Sequence, residues 1–347
     1  MSRSVGAVDA VTSLLPEAAA LPVGLLTQLG DVWFLLAVIV LAYWLRPADR
    51  NRVAVVLAIA LGTIALVQAL KGVFGLPRPA TPLGSAGVYP SILHGLFDAT
   101  ATASGHGFPS GHATLSTAVL LGLAGAIRAG TPRRRAVVAV GLIALISLSR
   151  IALGVHFLVD VVAGVLVGLV VLSGAALAVR GSPTDAPTTA FVGAAGIGVV
   201  AVLVTAPSLD VGGLLAHPAR DSLLSLGAAL GALAGWQTYS LLDRGAVSRS
   251  TGRFARPGSV RAGVVVGLPV LLLTGGIAGL LAGEGALGLA GAGGLCFAVA
   301  VALPALVPGF DAEIGAHLPE WVRAGNAPDR DADRPARAQS SGNLPEH

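Results

Sequence analysis

Charge is scarce in this sequence. Only 12% of its 347 residues are Asp, Glu, Lys or Arg, about half of the roughly 25% that a soluble domain carries. With 54% hydrophobic residues and a mean hydropathy of +0.81, that scarcity excludes an ordinary soluble fold and predicts an all-α integral membrane protein. Cysteine is nearly absent too. Cys296 stands alone, so no intrachain disulfide can form and the redox compartment is unreadable. No charged-then-apolar pattern ending in a cleavage site opens the chain, so no cleaved signal peptide is expected. Lysine is the scarcest charge: of 22 basic residues, 21 are Arg and one is Lys71, which borders a Gly/Pro-rich stretch. The net charge of +4 is modest. Its basic residues cluster in short loops, which fits membrane topology and not nucleic-acid binding.

Long apolar runs are what the chain has in abundance. Residues 1–30, interrupted by Pro16 and Pro22, read as an interfacial or loosely packed segment. Apolar runs follow at Val32 to Leu45, Val53 to Leu70, Ala113 to Ile127, Ala136 to Leu148 and Phe157 to Val179. Four more lie near 190–206, 222–242, 262–282 and 286–307, and a polar tail from Pro308 is expected to be disordered. About nine spans are therefore predicted, each near the roughly 20 residues a bilayer requires. With the N-terminus outside, the inner loops hold 13 Arg and the polar tail four more, while the outer segments hold five basic residues. The excess of basic residues on the inner side supports that orientation. It places both the 71–109 loop and the 149–156 turn on the outer side, an outcome for which the orientation was not chosen.

Three segments carry chemistry. In Ser149-Arg150-Ile-Ala-Leu-Gly-Val-His156-Phe-Leu-Val-Asp160, three ionisable residues lie between apolar runs, where each costs about 2.5–3.5 kcal/mol and so usually has a function. His156 and Asp160 are four apart, which on a helix puts them on one face. A carboxylate there fixes the imidazole tautomer and leaves the other nitrogen to attack. Arg150 offers a planar fork suited to phosphate. At Pro109-Ser110-Gly111-His112, a hydroxyl and the first backbone amides of a helix face an anion, with His112 beside them. Lys71 and Arg78-Pro79 open the long outer loop, and with Arg150 these cations are placed to surround a phosphate. Taken singly, each has an ordinary reading: Arg150 as a snorkelling helix end, Lys71 and Arg78 as loop charges, Pro109 to His112 as a plain helix start. His94, Asp98 and His106 read as solvated loop residues and stay outside the predicted site. The small-residue ladders Gly227, Gly231, Gly235 and Gly275, Gly279, Gly283 read as helix-packing faces.

Together, Lys71-x6-Arg78-Pro79, Pro109-Ser110-Gly111-His112 and Ser149-Arg150-x5-His156-x3-Asp160 resemble, without departure and in order, the three motifs of the type 2 phosphatidic acid phosphatase (PAP2) superfamily of integral membrane lipid phosphatases. The resemblance covers roughly residues 31–180. It implies a PAP2-type catalytic core of about five to six transmembrane helices, followed by about four additional spans over 181–307 whose role it does not explain. It also implies that His156 is a nucleophile forming a phosphohistidine, oriented by Asp160, and that His112 is general acid and then general base. Lys71, Arg78, Ser110, the Gly111 N–H and Arg150 would hold the phosphate. No metal or other cofactor is expected. The implied substrate is a lipid phosphate or diphosphate (polyprenyl diphosphate, phosphatidate or phosphatidylglycerophosphate), met at the extracytoplasmic face of the plasma membrane. Transfer of the phosphoryl group to an alcohol is a second enzymatic reading. Lipid transport on the same core is a third, against which the intact nucleophile and general acid argue. The oligomeric state is not legible.

Overall fold

A computed structural model describes residues 6–80, 82–206, 217–250, 286–307 and 310–317. The described residues are helical and contain no strand. The helices are α1 (Ala7–Thr12), α2 (Ala20–Thr27), α3 (Val32–Leu45), α4 (Arg50–Phe74), α5 (His94–Ala101), α6 (Gly111–Ala126), α7 (Pro132–Ala152), α8 (Leu158–Gly181), α9 (Ala186–Thr205), α10 (His217–Ser250), α11 (Ala286–Leu306) and α12 (Phe310–His317).

Four helical segments are long and apolar enough to cross a membrane: Pro47–Phe74, Pro132–Ala152, Leu158–Gly181 and Ala186–Thr205. A fifth is added if Glu17–Gly30 and Val32–Leu45, bent by 42°, form one broken span. These helices suit a membrane protein; such spans among the described residues number fewer than the nine expected. Two expected spans appear as shorter apolar helices, Gly111–Ala126 and Gly293–Leu306. The run at 222–242 falls within α10, and the run at 262–282 lies outside the described residues. With 16 residues, α6 is about 24 Å long, less than the roughly 30 Å of a hydrocarbon core.

The centre of the bundle is α4, which packs against α3, α6, α9 and α10. One core joins Ile39 and Tyr43 of α3, Leu57 and Leu61 of α4, Val119 of α6, Phe191 of α9, Trp236 of α10 and Val301 of α11. The C-terminal helices therefore share a core with the motif-bearing ones. Gly231 and Gly235 of α10 lie against the backbone of Gly294 and Ala298 on α11, so part of the first glycine ladder is a close helix contact. The second ladder lies outside the described residues. At the end of α4 opposite Lys71, Arg50 makes a two-pronged pair with Asp311 of α12, at 3.1 and 2.6 Å.

Packing adds detail at two places. Within the segment expected to be interfacial or loosely packed, Ala20 and Leu21 of α2 are buried with Phe97 of α5 and Leu153. Pro22 falls in the first turn of α2, where the backbone amides have no helical partner to lose. The expected 71–109 loop is folded as well. The first four of its residues belong to α4, and its later part forms α5, with Phe97, Thr100 and Ala101 buried at helical spacing.

Candidate active site

Two glycines end the helices that carry the cations. Gly75, at φ 56°, closes α4 by donating its N–H to the Lys71 carbonyl. Gly154, at φ 65°, turns the chain after α7, and the Val155 N–H returns to the Arg150 carbonyl. Only glycine adopts this left-handed conformation without strain. Beyond Gly75 the Arg78 guanidinium folds back. Its Nε donates to the Ser104 and Gly105 carbonyls at 3.1 and 3.2 Å, and its Nη1 to the Val155 carbonyl at 3.0 Å.

His156 stands in the turn before α8, not on a helix as its spacing to Asp160 suggested. Asp160 sits in the first turn of α8, where its Oδ2 accepts the Phe157 N–H at 3.0 Å. That geometry brings Asp160 Oδ2 to 3.7 Å from His156 Nδ1, an ion-pair separation longer than a hydrogen bond. On the opposite edge of the ring, Arg78 Nη1 lies 2.9 Å from Nε2. A guanidinium has only donors, so in this arrangement Nε2 is the acceptor. The proton of a neutral His156 is then on Nδ1, facing Asp160.

The second and third motifs are held together by the backbone. The Ser110 N–H donates to the Asp160 carbonyl at 2.9 Å. Gly164 and Gly168 let α8 lie directly on α6: a Cβ at either position would come within 2.7 Å of the Ser110 or Thr114 carbonyl oxygen. Across the start of α6, a Cβ on Gly111 would be 3.9 Å from Lys71 Nζ. The Lys71 ammonium therefore lies near Gly111 at the start of that helix, whose first amides have no helical acceptor.

These groups enclose a cavity of about 220 Å³ lined by Lys71, Arg78, Gly111, His112, Arg150 and His156 on its polar side. Val32, Ile64, Val67 and Leu115 are among its apolar lining residues. Three cations face one lining carboxylate, that of Asp31, so the cavity is suited to an anion. Arg150 is 4% exposed and donates from Nη1 to Thr27 Oγ1 at 3.2 Å. Its Nε, Ser110 Oγ, His112 Nε2 and His156 Nδ1 are buried without a hydrogen-bond partner. Burial first, and then the Arg150 and Arg78 charges, hold the His156 imidazole well below its usual titration range, so it is neutral at neutral pH.

Of the eight residues expected from sequence, six line this cavity. Ser110 and Asp160, each 0% exposed, lie behind it. His94, Asp98 and His106 are not among its lining residues. Sequence reading missed Asp31, Thr27, Gln28 and Gln68. Gln68 had a signal, because a polar side chain inside the second apolar run calls for a partner. That partner is Asp221 of α10, whose Oδ2 accepts from Gln68 Nε2 at 2.7 Å. Asp31 reads as the ordinary cap that begins α3, and nothing in its spacing to His112 indicates contact.

No curated protein and no solved structure matched the chain. The family model of the PAP2 superfamily matches residues 32–182, a segment that contains all three motifs and every cavity-lining cation. Proteins of that superfamily are generally phosphatases, which makes phosphate-containing substrates the expected class. Over residues 32–182, the segment that carries the cavity and its motifs, this chain is similar to the PAP2 superfamily.

Proposed function

We propose that the protein is a membrane lipid phosphatase that hydrolyses a lipid phosphate or diphosphate through a phosphohistidine. The observation that carries this reading is the make-up of one cavity. Three cations, two histidines and Gly111 share the lining of its roughly 220 Å³ with Val32, Ile64, Val67 and Leu115, a mixture that suits a phosphate head joined to an apolar tail.

The phosphate displaces Arg78 from His156 Nε2 and takes hydrogen bonds from Arg78, Arg150, Lys71 and the Gly111 N–H. Nε2 attacks phosphorus as the bond from phosphorus to the leaving oxygen breaks. The leaving oxygen takes a proton from His112. The positive charge left on the His156 ring is offset by Asp160 at its Nδ1 edge. Water then attacks the phosphohistidine, gives a proton to His112, and the P–N bond breaks to release phosphate. Fixed positive charge and positioning supply most of the acceleration in such phosphoryl transfers. The excess of inner-side Arg supports placing the site at the extracytoplasmic face, where a polyprenyl diphosphate carrier released after glycan transfer is a fitting substrate.

The test is phosphate release by purified protein in detergent with EDTA. The substrates are polyprenyl diphosphate, polyprenyl phosphate, phosphatidate, phosphatidylglycerophosphate and a soluble phosphate ester. Release that persists in EDTA and disappears in His156→Ala is expected, with acid-labile, base-stable label trapped on the wild type alone. Release unaffected by the substitution sinks the histidine mechanism. Sidedness is read separately, by labelling Ser91→Cys in intact cells after Cys296→Ala; labelling only from the cytoplasmic side removes the outer-face assignment.

A further inference from the structure

The cavity holds one carboxylate, and it belongs to no motif. Asp31 is the N-cap of α3, with its backbone extended at φ −75° and ψ 154°. Its two oxygens are divided between two tasks. Oδ1 accepts the Trp33 N–H at 3.4 Å. Oδ2 lies 3.6 Å from His112 Nε2, close enough for an ion pair when the imidazole is protonated. The neighbouring residue makes the approach possible. A Cβ on Gly30 would collide with Ile146 of α7 and come within 3.4 Å of the His112 ring. Only with glycine at that position can the turn before α3 lie against both.

His112 needs such a partner if it is to carry a proton. Lys71 from α4, Arg78 from the following turn and Arg150 from α7 line the same cavity, and His156 faces it from the turn before α8. Each cation opposes a further positive charge on His112. Asp31 is the lining carboxylate among the described residues, and its Oδ2 faces the nitrogen that is otherwise buried without a hydrogen bond.

We propose that Asp31 is a positioning residue that forms a second carboxylate–histidine dyad with His112. The dyad holds a proton on Nε2 and leaves Nδ1 as the nitrogen that exchanges a proton with the reacting oxygens. Nδ1–H protonates the leaving oxygen as its bond to phosphorus breaks. Nδ1 then takes a proton from the attacking water as the P–N bond breaks. The two dyads use opposite ring nitrogens: Asp160 faces Nδ1 of His156, and Asp31 faces Nε2 of His112. This inference rests on the phosphatase reading and names a residue outside the three motifs.

The test uses the full chain and the lipid from the panel above that the wild type hydrolyses. Asn caps helices as well as Asp does, so Asp31→Asn removes the charge and keeps the cap, while Asp31→Ser is a second cap-preserving variant. Thermal unfolding in detergent checks that each is folded. Expected is a fall in kcat of about 10–100-fold with KM unchanged or lower, because a negative charge has left an anion site. The basic limb of the kcat profile is expected to move to lower pH, since His112 loses the group that favours its protonated form. In a His112→Asn background, Asp31→Asn is expected to cost nothing more, because it acts through His112. A fall in rate with an unmoved pH profile, or full additivity with His112→Asn, overturns the dyad and leaves the phosphatase reading standing. A wild type that releases no phosphate from any panel member overturns the reading beneath it.

Discussion

At the scale of single residues, the proposed phosphohistidine mechanism depends on which ring nitrogen of His156 is left for phosphate. Asp160 is fully buried, and its Oδ2 is fixed by the Phe157 N–H, so it cannot turn away from Nδ1. Asp160→Asn keeps the volume but can present an amide donor to Nδ1 and favour the wrong tautomer. Phosphate release is expected to fall on the order of 10²–10⁴-fold with little change in KM. The pH dependence follows from the same ring. Burial and the surrounding cations hold the His156 titration below 6.5. The neutral form, which the proposed mechanism requires, is therefore present above that lowered value and is lost as pH falls through it. The acid limb of kcat/KM assigned to the enzyme is expected below pH 6.5, after the substrate's own second ionisation near about pH 6 has been fitted separately. A limb above 6.5 that vanishes with no other residue than His156 would contradict its buried, cation-flanked setting.

At the scale of elements, helix contacts set the distances between motifs. Gly164 and Gly168 allow α8 to rest on α6, and that contact carries Asp160 to Ser110. Gly164→Ala puts a methyl group within 2.7 Å of the Ser110 carbonyl oxygen, so the two helices must separate. Such overpacking costs about 1–3 kcal/mol. A lower unfolding temperature and a clear loss of activity are expected together. Gly141, on the exposed side of α7, has nothing within 4 Å of an added Cβ. Gly141→Ala serves as the control, expected to leave activity intact and stability unchanged or slightly higher. The period of the apolar runs was enough to find α4, α7, α8 and α9. It was not enough to find α5 or the packing of α2, because short helices held by tertiary burial carry little periodic signal of their own.

At the scale of the whole molecule, the helices beyond residue 182 complete the bundle around α4. Phe191, Trp236 and Val301 share a core with Leu57 and Leu61, and Asp221 holds Gln68 beside the cavity. A chain ending at Ser182 would keep all three motifs and expose the α9- and α10-facing surface of α4. Loss of a monodisperse folded species by size-exclusion chromatography is expected, along with loss of phosphate release; a folded, active truncated protein would show that these helices are dispensable. Asp221→Ala is the milder probe. It leaves Gln68 without this acceptor at 2.7 Å and is expected to raise KM about tenfold, with the bundle intact.

The sequence by itself determined the class of fold, the cation set and both histidine motifs. Charges and histidines inside an apolar chain are expensive enough to be conspicuous, and their spacings repeat a known pattern. Only the tertiary structure decided that His156 sits in a turn with Nε2 toward the cavity, that Ser110 and Asp160 stand behind the cavity surface, and that Asp31 reaches His112. Asp31 and His112 are joined by no local rule. Their proximity arises because Gly30 lets one turn lie against α7, a contact between distant segments that periodicity and motif spacing do not encode.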